Sequence, residues 1–251
     1  MDQRLEQLKQ LGLTERVRQL GNPAGPVGVA IGNYMNAMNG ALNAVLFRKL
    51  APQRGNRILE IGFGNGKLLS DLMNLTPDLT YDGIDISDLM VAEATAFNRA
   101  LVAAGRAAFH RASSTAIPFD AGTFDRAMAV NTIYFWPEPV RDLAEIRRVL
   151  KPEGVLGLAA MTPASATHLI ASDQPFRTYD SVQLRSLLAE AGFARVSIEP
   201  YHETSLQPDG RTIQRVFHLV RAMATARVEG TGGRARRVSN PKRESSALAN
   251  G

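Results

Sequence analysis

The chain contains no cysteine. That excludes disulfides, thiolate metal ligands and cysteine nucleophiles together. No apolar run approaches the roughly 20 residues needed to cross a bilayer, so no membrane insertion is expected. The first ten residues, MDQRLEQLKQ, are too charged for a signal peptide, and a cytoplasmic protein is the expectation. Histidine is sparse, at four in 251 residues, and none stands with acids at metal-ligand spacing. No metal is expected. Tryptophan occurs once, at Trp136.

What is present is ordinary for one sizeable globular domain: 45% hydrophobic and 21% charged residues. The net charge of +5 is unevenly placed. Residues 222–251 hold six basic groups against Glu229 and Glu244, which accounts for +4 of the total. This Gly-, Ser- and Arg-rich stretch has too little apolar surface to offset its ordering entropy, so disorder is expected. It reads as a solvated end or as a grip for RNA or an acidic membrane. The expected organisation is an N-terminal helical cap over 1–50, a main domain over 51–222 and a basic tail over 223–251.

Segment 2–20 alternates charge with leucine, and GNPAGP at 21–26 reads as a breaker. A second helix is expected over 31–50. Within it Asn33, Asn36, Asn39 and Asn43 recur at steps of three and four and share one face. Such a stripe is either a solvated face or a polar wall over a ligand pocket.

From Arg57 onward, short aliphatic runs alternate with amphipathic segments. Strand candidates fall at 57–62, 80–85, 107–112, 124–131, 155–161, 195–200 and 213–222. Helix candidates fall at 65–75, 88–104, 138–150 and 180–191. Ser87 can cap the helix that ends at Gly105, and Asp180 the one that ends at Gly192. The alternation predicts an α/β, Rossmann-like, mostly parallel sheet with helices on both faces. The last two strands lack an intervening helix and read as an antiparallel edge pair.

Ligands of such sheets sit beyond the carboxyl ends of the strands. There the sequence reads RILEIGFGNGK, with Gly62, Gly64 and Gly66 at every second position. A dinucleotide fingerprint requires G-x-G-x-x-G/A, and Lys67 holds its sixth position. The spacing of a phosphate loop also fails. Glu60, two residues before the first glycine, would repel a pyrophosphate and attract an ammonium. Asp85, twenty-three residues after Gly62 at the end of YDGID, suits paired ribose hydroxyls. Met90 would lie against an adenine face or belong to ordinary core. Asp82, inside the same strand, reads as exposed.

ILEIGFGNG, GIDIS-x-x-M, IPFDAGTFD and IRRVLKPEG, in this order, resemble the class I S-adenosylmethionine-dependent methyltransferases, and most closely the small-molecule "type 11", ubiquinone-methyltransferase-like group. The resemblance covers about residues 50–200. It implies a seven-stranded sheet with the last two strands at the antiparallel edge, and S-adenosylmethionine as cofactor. It implies that Glu60 and the loop Gly62, Gly64, Asn65 and Gly66 hold the methionine end. Asp85 would hold the ribose, and Ile86 and Met90 would flank adenine. Relatives often carry G-D-A before the L-P-F element, whereas this chain has RASSTAIPF. Ser113 stands at the position of that aspartate, with Ser114 and Thr115 as sharers of the adenine contact.

The fourth strand ends in NTIYFWPEP. The aromatics at 134–136 are either a hydrophobic plug or the wall of a pocket for a flat or cationic acceptor. Asn131 is a further cofactor candidate. Tyr134 and Trp136 are substrate candidates, as is Tyr34 on the asparagine-striped helix. Asn131 and Tyr134 also resemble the N-P-P-Y element of methyltransferases acting on nucleic-acid bases, but both prolines are missing. Methyl transfer needs alignment more than side-chain chemistry. Tyr134 and His168 are the catalytic candidates; His168 and His202 are expected in loops on the ligand side, while His110 and His218 read as structural. The polar connection 161–180 is a candidate lid. The expected activity is in-line methyl transfer to a small organic molecule, with nucleic acid disfavoured as a partner. The rivals are a silent cofactor-binding or scaffold protein and an RNA methyltransferase using the tail.

Overall fold

The computed structural model describes residues 11–170, 175–206 and 211–225, without the side chains of His168, Ile170, Ser205 and Leu206. The basic tail beyond 225 lies outside the described residues. Seven strands form one sheet in the order β3-β2-β1-β4-β5-β7-β6. These are β1 (Arg57–Ile61), β2 (Thr80–Asp85), β3 (Ala107–Arg111), β4 (Phe124–Val130), β5 (Leu150–Met161), β6 (Phe193–Leu206) and β7 (Thr212–Ala224). The first five pair in parallel, while β7 inserts antiparallel between β5 and β6. Strand order reverses between β1 and β4, which places the expected ligand crevice at their carboxyl ends.

The helices are α1 (Leu13–Gly21), α2 (Gly25–Leu50), α3 (Leu69–Met73), α4 (Asp88–Phe97), α5 (Arg99–Ala103), α6 (Pro139–Val149), α7 (Thr167–Ile170) and α8 (Ser181–Glu190). Among the described residues no helix is long and apolar enough to cross a membrane. The Ser87 side chain accepts from the Met90 amide, and Asp180 forms a capping box with Gln183 at the start of α8. Both caps agree with the sequence pattern.

Several boundaries differ for local reasons. α2 starts inside the expected breaker, because Pro26 occupies the first turn, where its missing N–H is harmless. Helix α3 is shorter than expected, since the turn after Gly66 is spent rounding the loop. The helix expected over 88–104 breaks at Asn98, whose side-chain amide leaves the helix pattern to bond the carbonyls of Gly66 and Ala94 at 3.0 and 2.9 Å. β6 runs to Leu206, so His202 sits in a strand opposite Val216 rather than in a loop. Asp82 is buried, not exposed: Arg57 Nε donates to it at 2.8 Å and His110 Nε2 lies 3.0 Å away.

α2 crosses the sheet closely because β5 presents Gly157 beneath it; an added Cβ there would lie 3.2–3.3 Å from Leu50 and Leu46. Further along, Gly32 lets α2 approach Met90 and Asn65. The fully buried Leu42, Leu46 and Leu50 face the core, and the asparagines turn to the strand ends. An arm of β7 secures the same helix: Arg215 donates to the Met38 carbonyl and pairs with Glu203.

Asp180→Ala removes the acceptor for two orphan amides of α8, at 2.8 Å each. It should cost about 1 kcal/mol in urea unfolding, while Asp180→Ser should restore all but a few tenths.

Candidate functional site

Beyond the carboxyl ends of β1, β2 and β4 lies a cavity of about 340 Å³, roofed by α2. The β1 loop forms its floor. Gly62, Gly64 and Gly66 all take positive φ, at 70°, 61° and 68°, a region glycine enters without penalty. Their surroundings differ. A Cβ on Gly62 would strike Thr132 at 2.3 Å, and one on Gly66 would strike Ala94 at 2.8 Å. At Gly64 nothing lies within 4 Å, so its backbone stands open to the cavity. Two of the three glycines serve packing and one serves the opening.

Two carboxylates flank this loop. Glu60, next to last in β1, receives a hydrogen bond from the Tyr81 hydroxyl at 2.7 Å. Burial pushes its carboxyl up to about 7, against the opposing pull of that bond. Asp85 ends β2 and accepts from the amides of Ser87 at 2.9 Å and Gly64 at 3.3 Å. Burial outweighs those amides and raises its pKa to about 6. Both acids line the cavity. Two desolvated acceptors of this kind suit a cationic or hydroxyl-rich ligand.

Of the other expected cofactor residues, Ile86, Met90, Ser113, Ser114 and Asn131 line the cavity. Ile86 is an exposed rim residue, whereas Met90 is fully buried under Gly32. The Ser114 hydroxyl is already spent, donating to the buried Asp142 at 2.6 Å. Thr115 does not reach the cavity; its hydroxyl lies 2.9 Å from that of Ser113. Asn65 is also off the wall, turned up into the amides of α2.

The stripe on α2 resolves in favour of the polar wall. Asn36, Asn39 and Asn43 line the cavity. Asn36 Nδ2 donates to Asn65 Oδ1 at 2.5 Å, and Lys67 Nζ donates to Asn33 Oδ1 at 2.6 Å. Asn131 Nδ2 reaches Asn39 Oδ1 at 3.3 Å. Asn131 holds φ 56°, strained for a residue with a side chain. The contact that holds it there comes from Tyr134, whose hydroxyl donates to Asn131 Oδ1 at 2.8 Å and accepts from the Met161 amide.

Tyr134, expected as a catalytic and substrate residue, stands instead behind the cavity wall. It is 2% exposed, absent from the cavity wall, and stacked on Phe176 with centroids 4.7 Å apart. Burial raises its phenol above the usual range. The plug reading holds for this ring, while the neighbouring Phe135 and Trp136 do wall the cavity. Phe176 also shows where the described end of the 161–180 segment goes: behind the plug, not over the cavity. Tyr34 packs with Ala30 and Ile31 on another face of α2 and does not line the cavity. His168 lies in α7, and its side chain is outside the described residues. Phe47, Met35 and Leu20 line the cavity without having been singled out; Phe47 and Met35 had only their helical spacing to Asn43 and Asn39 as a signal, and Leu20, on α1, had none.

A family model described as a methyltransferase domain matches residues 58–154. YdaC, a methyltransferase of Bacillus subtilis that is itself uncharacterized, is 29% identical over 168 residues, spanning 67% of this chain and 88% of that protein. The O-methyltransferase cnsE of Penicillium expansum is 28% identical over 163 residues, 62% of this chain but only 58% of its own length. Among solved structures, a chain from the complex of the Haloferax volcanii Trm112 methyltransferase activator with a methyltransferase superposes with a TM-score of 0.67. It is 18% identical, over 80% of this chain and 95% of that one, a likeness of fold.

The raised Glu60 carboxyl carries a stability signature. The folded state holds this proton above the ordinary carboxylate value of 4.5, up to about 7. Stability of the ligand-free protein should thus fall as pH rises through that window, by on the order of 2–3 kcal/mol from this group. Urea titrations at successive pH values should show the decline in the wild type and a flatter profile in Glu60→Gln.

Proposed function

We propose that this chain is a class I S-adenosylmethionine-dependent methyltransferase, and that it methylates a small organic acceptor held between α2 and the aromatics after β4. The first part is supported by the match of residues 58–154 to a methyltransferase-domain model and by the likeness to YdaC. The matched family model is general, and the small-molecule character of the acceptor is our reading of the cavity. One observation carries it. The open backbone of Gly64 and the buried carboxylates of Glu60 and Asp85 meet one cavity whose remaining wall is made of amides and aromatic rings. A roofed cavity of about 340 Å³ is of small-molecule size.

The residues present fit the cofactor. The room over Gly64 is space that any other side chain would fill. S-adenosylmethionine, when bound, supplies a methyl carbon made electrophilic by its sulfonium. Glu60, desolvated and acceptor-rich, holds the ammonium and regains its ionised form in doing so. Asp85 accepts from the ribose hydroxyls while the Gly64 and Ser87 amides keep its carboxylate oriented. Ile86 and Met90 bracket the adenine, and Ser113 offers its edge a hydroxyl. Asn131, held in its strained conformation by Tyr134, sets the shape of the wall beside the reacting end. Phe135 and Trp136 exclude water from the acceptor side, and α2 closes the top. Alignment and exclusion of water are the work these side chains do.

Asp85→Ala should weaken S-adenosylmethionine binding by about 1–3 kcal/mol in calorimetric titration, since a charged acceptor is lost; unchanged affinity would remove the ribose role. For the acceptor, the chain should be incubated with methyl-labelled S-adenosylmethionine and a cell extract divided into small-molecule and macromolecular fractions. Label should enter the small-molecule fraction. Label confined to RNA or protein would refute the proposal.

A further inference from the structure

Asn43 is an asparagine buried in an otherwise apolar stretch of α2, 7% exposed, and it lines the cavity. Its Nδ2 donates to the main-chain carbonyl of Asn39 at 2.9 Å. Only the nitrogen end of an amide can donate to a carbonyl, so this bond fixes the side chain's orientation. Oδ1 is the end left over from that bond. Among the described residues no group donates to it, and it is not one of the sealed, partnerless polar atoms either. A buried amide of this kind with a free, open acceptor atom and a cavity beside it is a half-made hydrogen bond.

Trp136 gives the complementary half. It is 5% exposed and lines the same cavity. Its indole N–H has no partner among the described residues and is not sealed from the cavity. A buried tryptophan N–H ordinarily finds an acceptor. Phe47, one turn beyond Asn43 on α2, adds a second aromatic wall. With Phe135, the wall therefore offers an acceptor, a donor and three aromatic rings.

Resting on the methyl-transfer reading above, we infer that Asn43 determines acceptor specificity: its Oδ1 receives the hydroxyl hydrogen of an uncharged, planar hydroxyaryl compound, whose oxygen is the methyl acceptor. Charge narrows the class further. The ionisable side chains on the wall, among the described residues, are the acids Glu60 and Asp85, which disfavour a carboxylate or phosphate. A protonated amine has no lone pair to offer and is repelled by a neighbouring sulfonium. A neutral hydroxyl satisfies both conditions. Asn43 is not a base; it orients the oxygen by holding its hydrogen, and the proton lost on methylation reaches bulk water as the product leaves the cavity.

The test uses the full chain saturated with S-adenosylhomocysteine and three probes: 2-naphthol, its methyl ether 2-methoxynaphthalene, and 2-naphthoate. Calorimetry should show 2-naphthol binding about tenfold or more tightly than the ether, which lacks the donated hydrogen, and 2-naphthoate more weakly than either. Asn43→Leu should bring 2-naphthol down to the affinity of the ether while leaving S-adenosylhomocysteine affinity within about twofold. Equal affinity of naphthol and ether for the wild type would overturn the inference without recourse to any variant, as would failure of 2-naphthol to bind. Loss of S-adenosylhomocysteine affinity in Asn43→Leu would overturn it differently, by showing that the cofactor's ammonium is the donor Asn43 receives. A wild-type chain that binds no S-adenosylhomocysteine would refute the methyltransferase reading itself, a result separate from all the others.

Discussion

A row of side-chain amides holds the carboxyl end of the sheet together. Asn33 and Asn36 reach down to Lys67 and Asn65 on the glycine loop, and Asn39 meets Asn131 at the end of β4. The same helix is pressed onto the sheet by leucines that fit over Gly157. Amides can bond one another in both directions, so they can tie a roof to two separate loops without placing a net charge there. Asn65, the buried member of the set, would cost about 1–3 kcal/mol if left unpartnered. These bonds tie α2 to both loops over the cavity.

Against this neutral roof stand two acids in the floor. Glu60 and Asp85 lie at the carboxyl ends of adjacent parallel strands, and burial has raised both carboxyls, to about 7 and about 6. The floor is consequently uncomfortable until something cationic and hydroxyl-rich arrives. Its strain is matched in the wall by Asn131, held at positive φ by the Tyr134 hydroxyl. Tyr134 thus influences the site from behind it. The ring that looked like a pocket residue is the brace for one.

How much of this could be read from the chain depends on the range of the interaction involved. Strand placement, the reversed edge pair and the caps at Ser87 and Asp180 rest on local patterns, and they were legible. So was the loop itself, since three glycines around a terminal glutamate are a local signal. What local pattern cannot convey is which way a side chain faces once distant elements meet. Tyr134 and Trp136 sit two residues apart in one aromatic run, yet one is sealed behind the cavity and the other walls it. Asp82 looked exposed because its partners, Arg57 and His110, come from the strands on either side. The asparagine stripe had a clear period, but only the position of the glycine loop beneath it decides between water and ligand. Thr115 turned out to bond Ser113 instead of the cavity because the loop at 113–115 turns back on itself.

On our reading, the open backbone at Gly64, between Glu60 and Asp85, receives S-adenosylmethionine. The most direct measurement is mass spectrometry of the small molecules released when freshly purified protein is denatured, paired with calorimetric titration of the emptied protein. S-adenosylmethionine or S-adenosylhomocysteine in the released fraction, and binding of both in the titration, is the predicted result. Release of a nicotinamide or flavin nucleotide, with no heat on addition of S-adenosylmethionine, would contradict it.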